Sequence, residues 1–355
     1  MSRERWSLLD LFEMGDAAAS LLAAHRTGLL GALLAGHDRP EGFAAALGLD
    51  ARATRLVLNI LWAYGAVGLD GERFGASAEL ARLHRDHPGA VGIDLDLFDH
   101  TAEFLRSGAP LLRVRVDGSD SERDDSFAQI APRLGPLYQP AAHELALLLA
   151  ADLGSDHAAA RVLDVGAGSG VWGLALLEVL PGARLTAVEL PQVAQLLRRR
   201  VASRGDAERV EVIAGGYFDV ALPDGAFDVV VLGNVLHLEP PPRARRLVQL
   251  AAAALRPGGA LVVIDSLARH PYEMERHRAL YALSLAMRTC AGRTYSAAEL
   301  AEWACGAGLS YPERRPLASA PPHIDAVTSR RRGGAHRDAD GAAEVAHTEQ
   351  EGNRP

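Results

Sequence analysis

The sequence predicts an α/β protein: a doubly wound sheet over residues 159–330, preceded by a helical, winged-helix-like domain over residues 1–105. Three observations predict it. Strand and helix patterns alternate from Arg161 onward, the order that builds parallel sheets through crossover helices. Glycines cluster where the first of those strands meets its helix, in VLDVGAGSGVWG (162–173). Before residue 105 the apolar side chains recur at helical spacing, broken by a single hairpin signal.

Taken in order, Leu8, Leu9, Leu11 and Phe12, then Leu21, Leu22, Leu29, Leu30, Leu33 and Leu34, mark the first helices. Residues 40–74 read as helix, turn, helix, hairpin: FAAALGL, Asp50 as an N-cap, ARATRLVLNILWAYGAV, and LDGERFGA turning at Asp70-Gly71. DNA reading by the second helix would rest on Arg52 and Arg55 in an acid-rich segment, so the outline is read as an interaction and substrate-lid domain. The apolar run SLLAAHRTGLLGALLA exposes more surface than one small domain can cover, which predicts a homodimer. Residues 106–158 connect the halves: the polar run VDGSDSERDDS reads as an exposed loop, and a helix follows from about Leu137 to Ala151. The strands are RVLDVG, ARLTAVEL, RVEVIAG, FDVVVLGN, ALVVIDS and HIDAVTS, with helices such as VWGLALLEVL and PRARRLVQLAAAAL between them. Residues 331–355 lack apolar periodicity and are expected to be disordered.

Composition narrows the function. With 48% hydrophobic and 23% charged residues in 355, the chain can bury a core. A net charge of −8 gives no basic footprint, so no nucleic-acid partner is expected. No apolar run approaches a membrane span, and acids interrupt the first residues where a signal core would lie; a soluble, cytoplasmic protein without a membrane partner is expected. Cys290 and Cys305 are too few for a zinc cluster or a disulfide framework and read as small buried residues; no metal is expected. All the basic charge is arginine, and the absence of lysine excludes Schiff-base and P-loop lysine chemistry.

Gly168, Gly170 and Gly173 satisfy the G-x-G-x-x-G spacing of dinucleotide sites, with Glu189 about twenty residues on, so a nicotinamide or flavin cofactor must be considered. Three features point instead to S-adenosylmethionine. Asp164 lies in the strand before the first glycine, Gly166, Gly168 and Gly170 alternate, and LRPGG (255–259) precedes the fifth strand. That cofactor has no phosphate; it needs a close backbone turn and an acid for its ribose hydroxyls. Glu189, ending ARLTAVEL, suits the second need, the alternative being a plain exposed carboxylate.

On these motifs the chain resembles, over nearly its whole length, the class I S-adenosylmethionine-dependent O-methyltransferases of the plant caffeate type and their bacterial polyketide and pigment relatives. VLDVGAGSG is similar to the family's first cofactor motif, AVELP to its ribose motif with Glu189 for the usual aspartate, AGGYFDV to its adenine motif, and NVLH to the segment ending in the catalytic histidine. The resemblance implies a Rossmann-like doubly wound sheet and an N-terminal dimerisation domain. It also implies S-adenosylmethionine held by Asp164, Gly166, Gly168, Glu189, Gly216, Tyr217, Phe218 and Gly233. The acceptor would be a hydroxyl of an aromatic or polyketide-like small molecule; the alternative, found among relatives of the fold, is a decarboxylation, hydroxylation or cyclisation. Two departures stand out. Gly216-Tyr217-Phe218 occupies a place where an aspartate is usual, and Gly233 one where lysine or serine is frequent.

His237 follows FDVVVLGN on the side of the sheet where open α/β folds bind ligands, and imidazole has the right proton affinity to deprotonate a phenol near neutral pH. A histidine with a structural hydrogen bond would fit there too. In the family two acids bracket the histidine. Asp265 in LVVIDS matches the first; the second place, just before the Ser296–Glu299 capping box, holds Gly292 or Thr294 and no acid. His270, His277 and His323 are weighed as acceptor-pocket residues against plain surface.

Overall fold

The structure, a computed structural model, describes residues 8–86, 104–107, 109, 120–153, 159–268, 276–289 and 291–332. Expectations that fall on His270, Cys290 and the chain beyond Arg332 lie outside the described residues.

Helices α1 (Leu8–Arg26), α2 (Leu29–Ala35), α3 (Pro40–Leu47) and α4 (Ala51–Ala63) enclose a core of Leu29, Leu33, Phe43, Leu58 and Leu61. Asp50 caps α4 by accepting the Ala53 N–H at 2.7 Å. The hairpin of β1 (Val67–Asp70) and β2 (Arg73–Ala76) follows, turning through Gly71 at φ +61°, and α5 (Ala78–Asp86) closes this half. The helix, turn, helix, hairpin order is therefore present. Arg55 of α4 forms an ion pair with Glu41 of α3, which takes one of the two candidate DNA-reading arginines.

Helix α6 (Asp120–Leu153) leads into the sheet, which is built in chain order from β3 (Arg161–Val165), α7 (Val171–Val179), β4 (Arg184–Glu189), α8 (Pro191–Arg204), β5 (Val210–Ala214), β6 (Phe227–Gly233), α9 (Pro241–Ala254) and β7 (Leu255–Asp265). After β8 (Leu267–Ala268), α10 (Arg276–Ala286), β9 (Tyr295–Ser296) and α11 (Ala297–Gly306), the strands β10 (Glu313–Arg315) and β11 (Asp325–Arg330) return to the sheet. The order is β10-β11-β7-β6-β3-β4-β5, parallel from β7 to β5 and antiparallel at β11 and β10. Strands β3 and β6 are covered on both faces, which is why they read as unbroken apolar runs. Helix α7 is buried from Val171 through Leu177, the environment that its all-round apolar sequence requires.

Three sequence expectations are corrected. The polar stretch before Leu137 is not a loop from Asp120 onward: α6 runs 34 residues, through Pro132, Pro136 and Pro140. Four-residue spacing puts those prolines on one helix face, where all three line a groove with Leu197 and Arg200 of α8. Asp124 is buried because its carboxylate accepts the N–H of Gln192, at 3.0 and 2.8 Å, and of Val193 at 3.2 Å. These are second and third residues of α8, whose own N-cap residue, Leu190, brings no side-chain acceptor, so α6 supplies the cap from 68 residues away. Second, LRPGG does not precede a strand but opens β7. Third, Cys305 is exposed, in the last turn of α11.

The cap yields the first prediction. Asp124→Ala leaves the first N–H groups of α8 unpaired and lowers the unfolding free energy by about 1–3 kcal/mol, as measured in urea. Asp124→Asn, which still offers an oxygen, loses less; an alanine variant as stable as the native chain refutes the cap.

Candidate active site

The candidate cleft opens at the carboxyl ends of β3 and β6, where strand order reverses. Gly166, Gly168 and Gly170 turn the chain there at φ +68°, +56° and +72°. A Cβ on Gly166 would come within 2.6 Å of Val235 and one on Gly170 within 2.5 Å of Leu197, so both conformation and space demand glycine.

Glu189 ends β4 and lines the cleft, buried among backbone donors. Its Oε2 accepts the Gly168 N–H at 2.6 Å and its Oε1 the Leu190 N–H at 2.7 Å, tying the glycine loop to the next strand. Asp164 is not among the cleft-lining residues. It lies buried in β3, where Oδ2 accepts the Gly173 N–H at 3.0 Å while Oδ1 is buried without a hydrogen-bond partner. Burial, with a smaller push from Glu189, raises the Asp164 carboxyl to about 7.

Gly216, Tyr217 and Phe218 follow β5 and line the same cleft. The Tyr217 hydroxyl donates to the Glu239 carboxylate, and the Tyr217 and Phe218 rings meet edge to face at 4.9 Å. The guanidinium groups of Arg243 and Arg246 sit 4.4 and 5.0 Å from the centre of the Phe218 ring. Gly233 also lines the cleft; a Cβ there would lie 2.4 Å from Trp172, whose indole fills the space a longer residue would need.

This set fits S-adenosylmethionine. One cleft is lined by a carboxylate able to accept hydroxyl hydrogen bonds, two aromatic rings able to stack on a base, and a glycine backbone. It fits a dinucleotide poorly, because the Glu189 carboxylate already takes the Gly168 N–H that a pyrophosphate would need and adds negative charge there.

At the far end of β6, Asn234 adopts φ 60° and turns the chain into the 3-10 turn Leu236–Leu238. Its amide reaches Tyr138 of α6, donating to the hydroxyl at 3.2 Å. The turn delivers His237 to Asp265, the last residue of β7. His237 Nδ1 lies 2.7 Å from Asp265 Oδ1, and the His237 backbone N–H donates to Oδ2 at 3.2 Å. Both residues are buried. The place where a second acid was sought packs on the back of this histidine: a Cβ on Gly292 would meet the His237 carbonyl at 2.6 Å, and the Arg293 N–H donates to that carbonyl at 2.9 Å. A side chain that no sequence motif flagged, Tyr281 of α10, stands 3.0 Å from His237 Nε2. Of the other histidines, His277 is exposed, whereas His323 stacks on Tyr281 at 4.6 Å and is driven by burial down to about 4.

Comparison with known proteins bears on the assignment. A family model for the O-methyltransferase domain matches residues 147–310. The chain is 29% identical over 326 residues to a 3-hydroxy-5-methyl-1-naphthoate 3-O-methyltransferase of Streptomyces sahachiroi, spanning 87% of this chain and 90% of that one. It is 30% identical over 300 residues to an aclacinomycin 10-hydroxylase of Streptomyces purpurascens, spanning 80% and 78%. Among solved structures, an O-methyltransferase from neocarzinostatin biosynthesis, in complex with S-adenosylmethionine and 2-hydroxy-5-methyl naphthoic acid, superposes with a TM-score of 0.62 at 25% identity, covering 88% of this chain and 95% of that one. The match to the O-methyltransferase family model, together with relatives aligned over four-fifths or more of its length, makes the chain a member of the S-adenosylmethionine-dependent O-methyltransferase family.

Proposed function

We propose that the protein methylates a hydroxyl of an aromatic, polyketide-type small molecule, of the size of a hydroxynaphthoate, with His237 as the general base. The observation that carries this reading is the Asp265–His237 pair, 2.7 Å apart and buried, with His237 next in the chain to Leu238, which lines the same cleft as the glycine loop. Bound S-adenosylmethionine supplies an electrophilic methyl on sulfonium. Glu189 would hold the ribose hydroxyls, Tyr217 and Phe218 would take the adenine, and the glycine backbone from Gly166 to Gly168 would take the methionine part. Gly233 leaves room for Trp172 as a wall. Asp164 braces the first turn of α7 from below. With the Asp265 carboxylate on Nδ1, the imidazole keeps its proton there and its lone pair on Nε2, the state a base needs. The imidazolium formed on proton uptake is stabilised by the same carboxylate.

A second reading, a non-methylating reaction with the cofactor retained, is favoured by the hydroxylase relative and by Gly292 where a second acid was sought. The mass of the product formed from S-adenosylmethionine and a panel of hydroxynaphthoates separates the two. A gain of one methyl with release of S-adenosylhomocysteine supports transfer; a changed acceptor with cofactor unconsumed supports the alternative.

His237→Ala is expected to lower turnover by about 10²–10⁴ with S-adenosylhomocysteine affinity unchanged, because the base acts on the acceptor proton alone. Near-native turnover in that variant removes His237 from the mechanism. For Glu189→Ala, calorimetry is expected to show S-adenosylhomocysteine binding weakened by roughly 1.5–3 kcal/mol, and unchanged affinity in a folded variant removes Glu189 from the cofactor site. We further propose a homodimer through the N-terminal half, where Leu56 and Trp62 of α4 and the following Tyr64 are 53, 52 and 54% exposed. Sedimentation should give twice the chain mass at micromolar concentration, and a monomer there contradicts the interface.

A further inference from the structure

Tyr281 occupies the nitrogen that the base would offer to its substrate. The Tyr281 hydroxyl lies 3.0 Å from His237 Nε2, with the two rings edge to face at 5.6 Å. Since Asp265 accepts the Nδ1 proton, Nε2 carries the lone pair and the phenol is the donor. A phenol belonging to the protein thus sits where an acceptor phenol is expected. Leu238 lines the cleft, whereas His237 itself is buried behind it.

Either the phenol steps aside for the acceptor or it stays and passes the proton on. The packing favours staying. One face of the Tyr281 ring is stacked on His323, with an interplanar angle of 18°. Leu238 and Leu285 form a small apolar cluster against which Phe127, Ile130 and Tyr281 pack. Helix α10 is pinned to the sheet by Arg278, buried, which pairs with Asp325 at 2.5 Å and donates to the His323 carbonyl at 2.9 Å. Phe127 and Leu238 line the cleft, so the apolar cluster against which Tyr281 packs also forms part of the cleft wall.

We propose that Tyr281 is a proton relay between the acceptor hydroxyl and His237, an inference that rests on His237 being the base. As the acceptor oxygen bonds to the methyl carbon, the carbon–sulfur bond breaks and its electron pair stays on sulfur. The acceptor proton passes to the Tyr281 oxygen while the Tyr281 proton passes to Nε2. Tyr281 ends neutral and His237 ends as imidazolium beside Asp265. Concerted passage is required by the surroundings: burial, and then the neighbouring Tyr138 and Asp265, hold the Tyr281 phenol well above its ordinary range, so a free phenolate is not formed on the way.

The test uses the native full-length enzyme with S-adenosylmethionine and whichever hydroxynaphthoate turns over fastest, in single-turnover mode across H₂O/D₂O mixtures. Two protons in flight give a rate that bows downward with deuterium fraction; a straight line, or no isotope effect, overturns the relay. Tyr281→Phe is expected to lower the single-turnover rate by about 10–10², with S-adenosylhomocysteine affinity and thermal midpoint unchanged. A native rate in this variant overturns the relay while a slow His237→Ala leaves the base in place. A fast His237→Ala, or no turnover of any hydroxynaphthoate, instead overturns the functional reading on which the relay rests.

Discussion

The proposed reaction centre hangs on one buried carboxylate. Asp265 closes β7 and receives three donors at once: the His237 ring at 2.7 Å, the His237 backbone N–H at 3.2 Å and the Ser266 N–H at 2.7 Å. A buried charge is tolerated only when such partners replace water. Its position is inherited from the sheet, since Asp265 is the register partner of Asp325 on β11, and Asp325 is itself held by Arg278 and Arg314. Fixing both ring and backbone of His237, one acid does the orienting that two acids share in the resembling family.

The cofactor end follows the same rule with different acids. Glu189 ties the glycine loop to β4, Asp164 ties β3 to the start of α7, and Asp124 reaches from α6 to cap α8. Each carboxylate accepts backbone N–H groups at a strand end or a helix start, where donors have no partner within their own element. Leu190 and Pro191 connect the Glu189 carboxylate directly to the helix that Asp124 caps, so that helix and the cleft share one piece of backbone. Helix α6 joins in the same arrangement, since its Phe127, Ala131, Leu134 and Tyr138 form part of the cleft wall.

What the sequence revealed was local. The glycine loop, the Asp50 cap, the Asp70-Gly71 turn and the Ser296–Glu299 capping box are all specified within a few residues, and each is present. Strands β3 and β6 were legible because burial on both faces leaves an apolar run, whereas β10, the short polar edge strand Glu313–Arg315, carries no such run and was not expected. What stayed hidden joins residues far apart in the chain. Asp124 meets Gln192 across 68 residues and Tyr281 meets His237 across 44, and neither pairing leaves a periodic trace. Helix α6 was misread for a related reason. Its acids at 120–125 look like solvent and its prolines like stops, yet Asp124 is spent on a distant helix and the prolines share one face.

The central claim is that the Asp265 contact fixes which ring nitrogen of His237 carries the proton. Nitrogen-15 spectra of histidine-labelled protein, with His237 assigned by its loss in His237→Ala, read that state directly. The account predicts a proton on Nδ1 and a bare Nε2 that accepts a hydrogen bond. A proton on Nε2 with Nδ1 bare would contradict it.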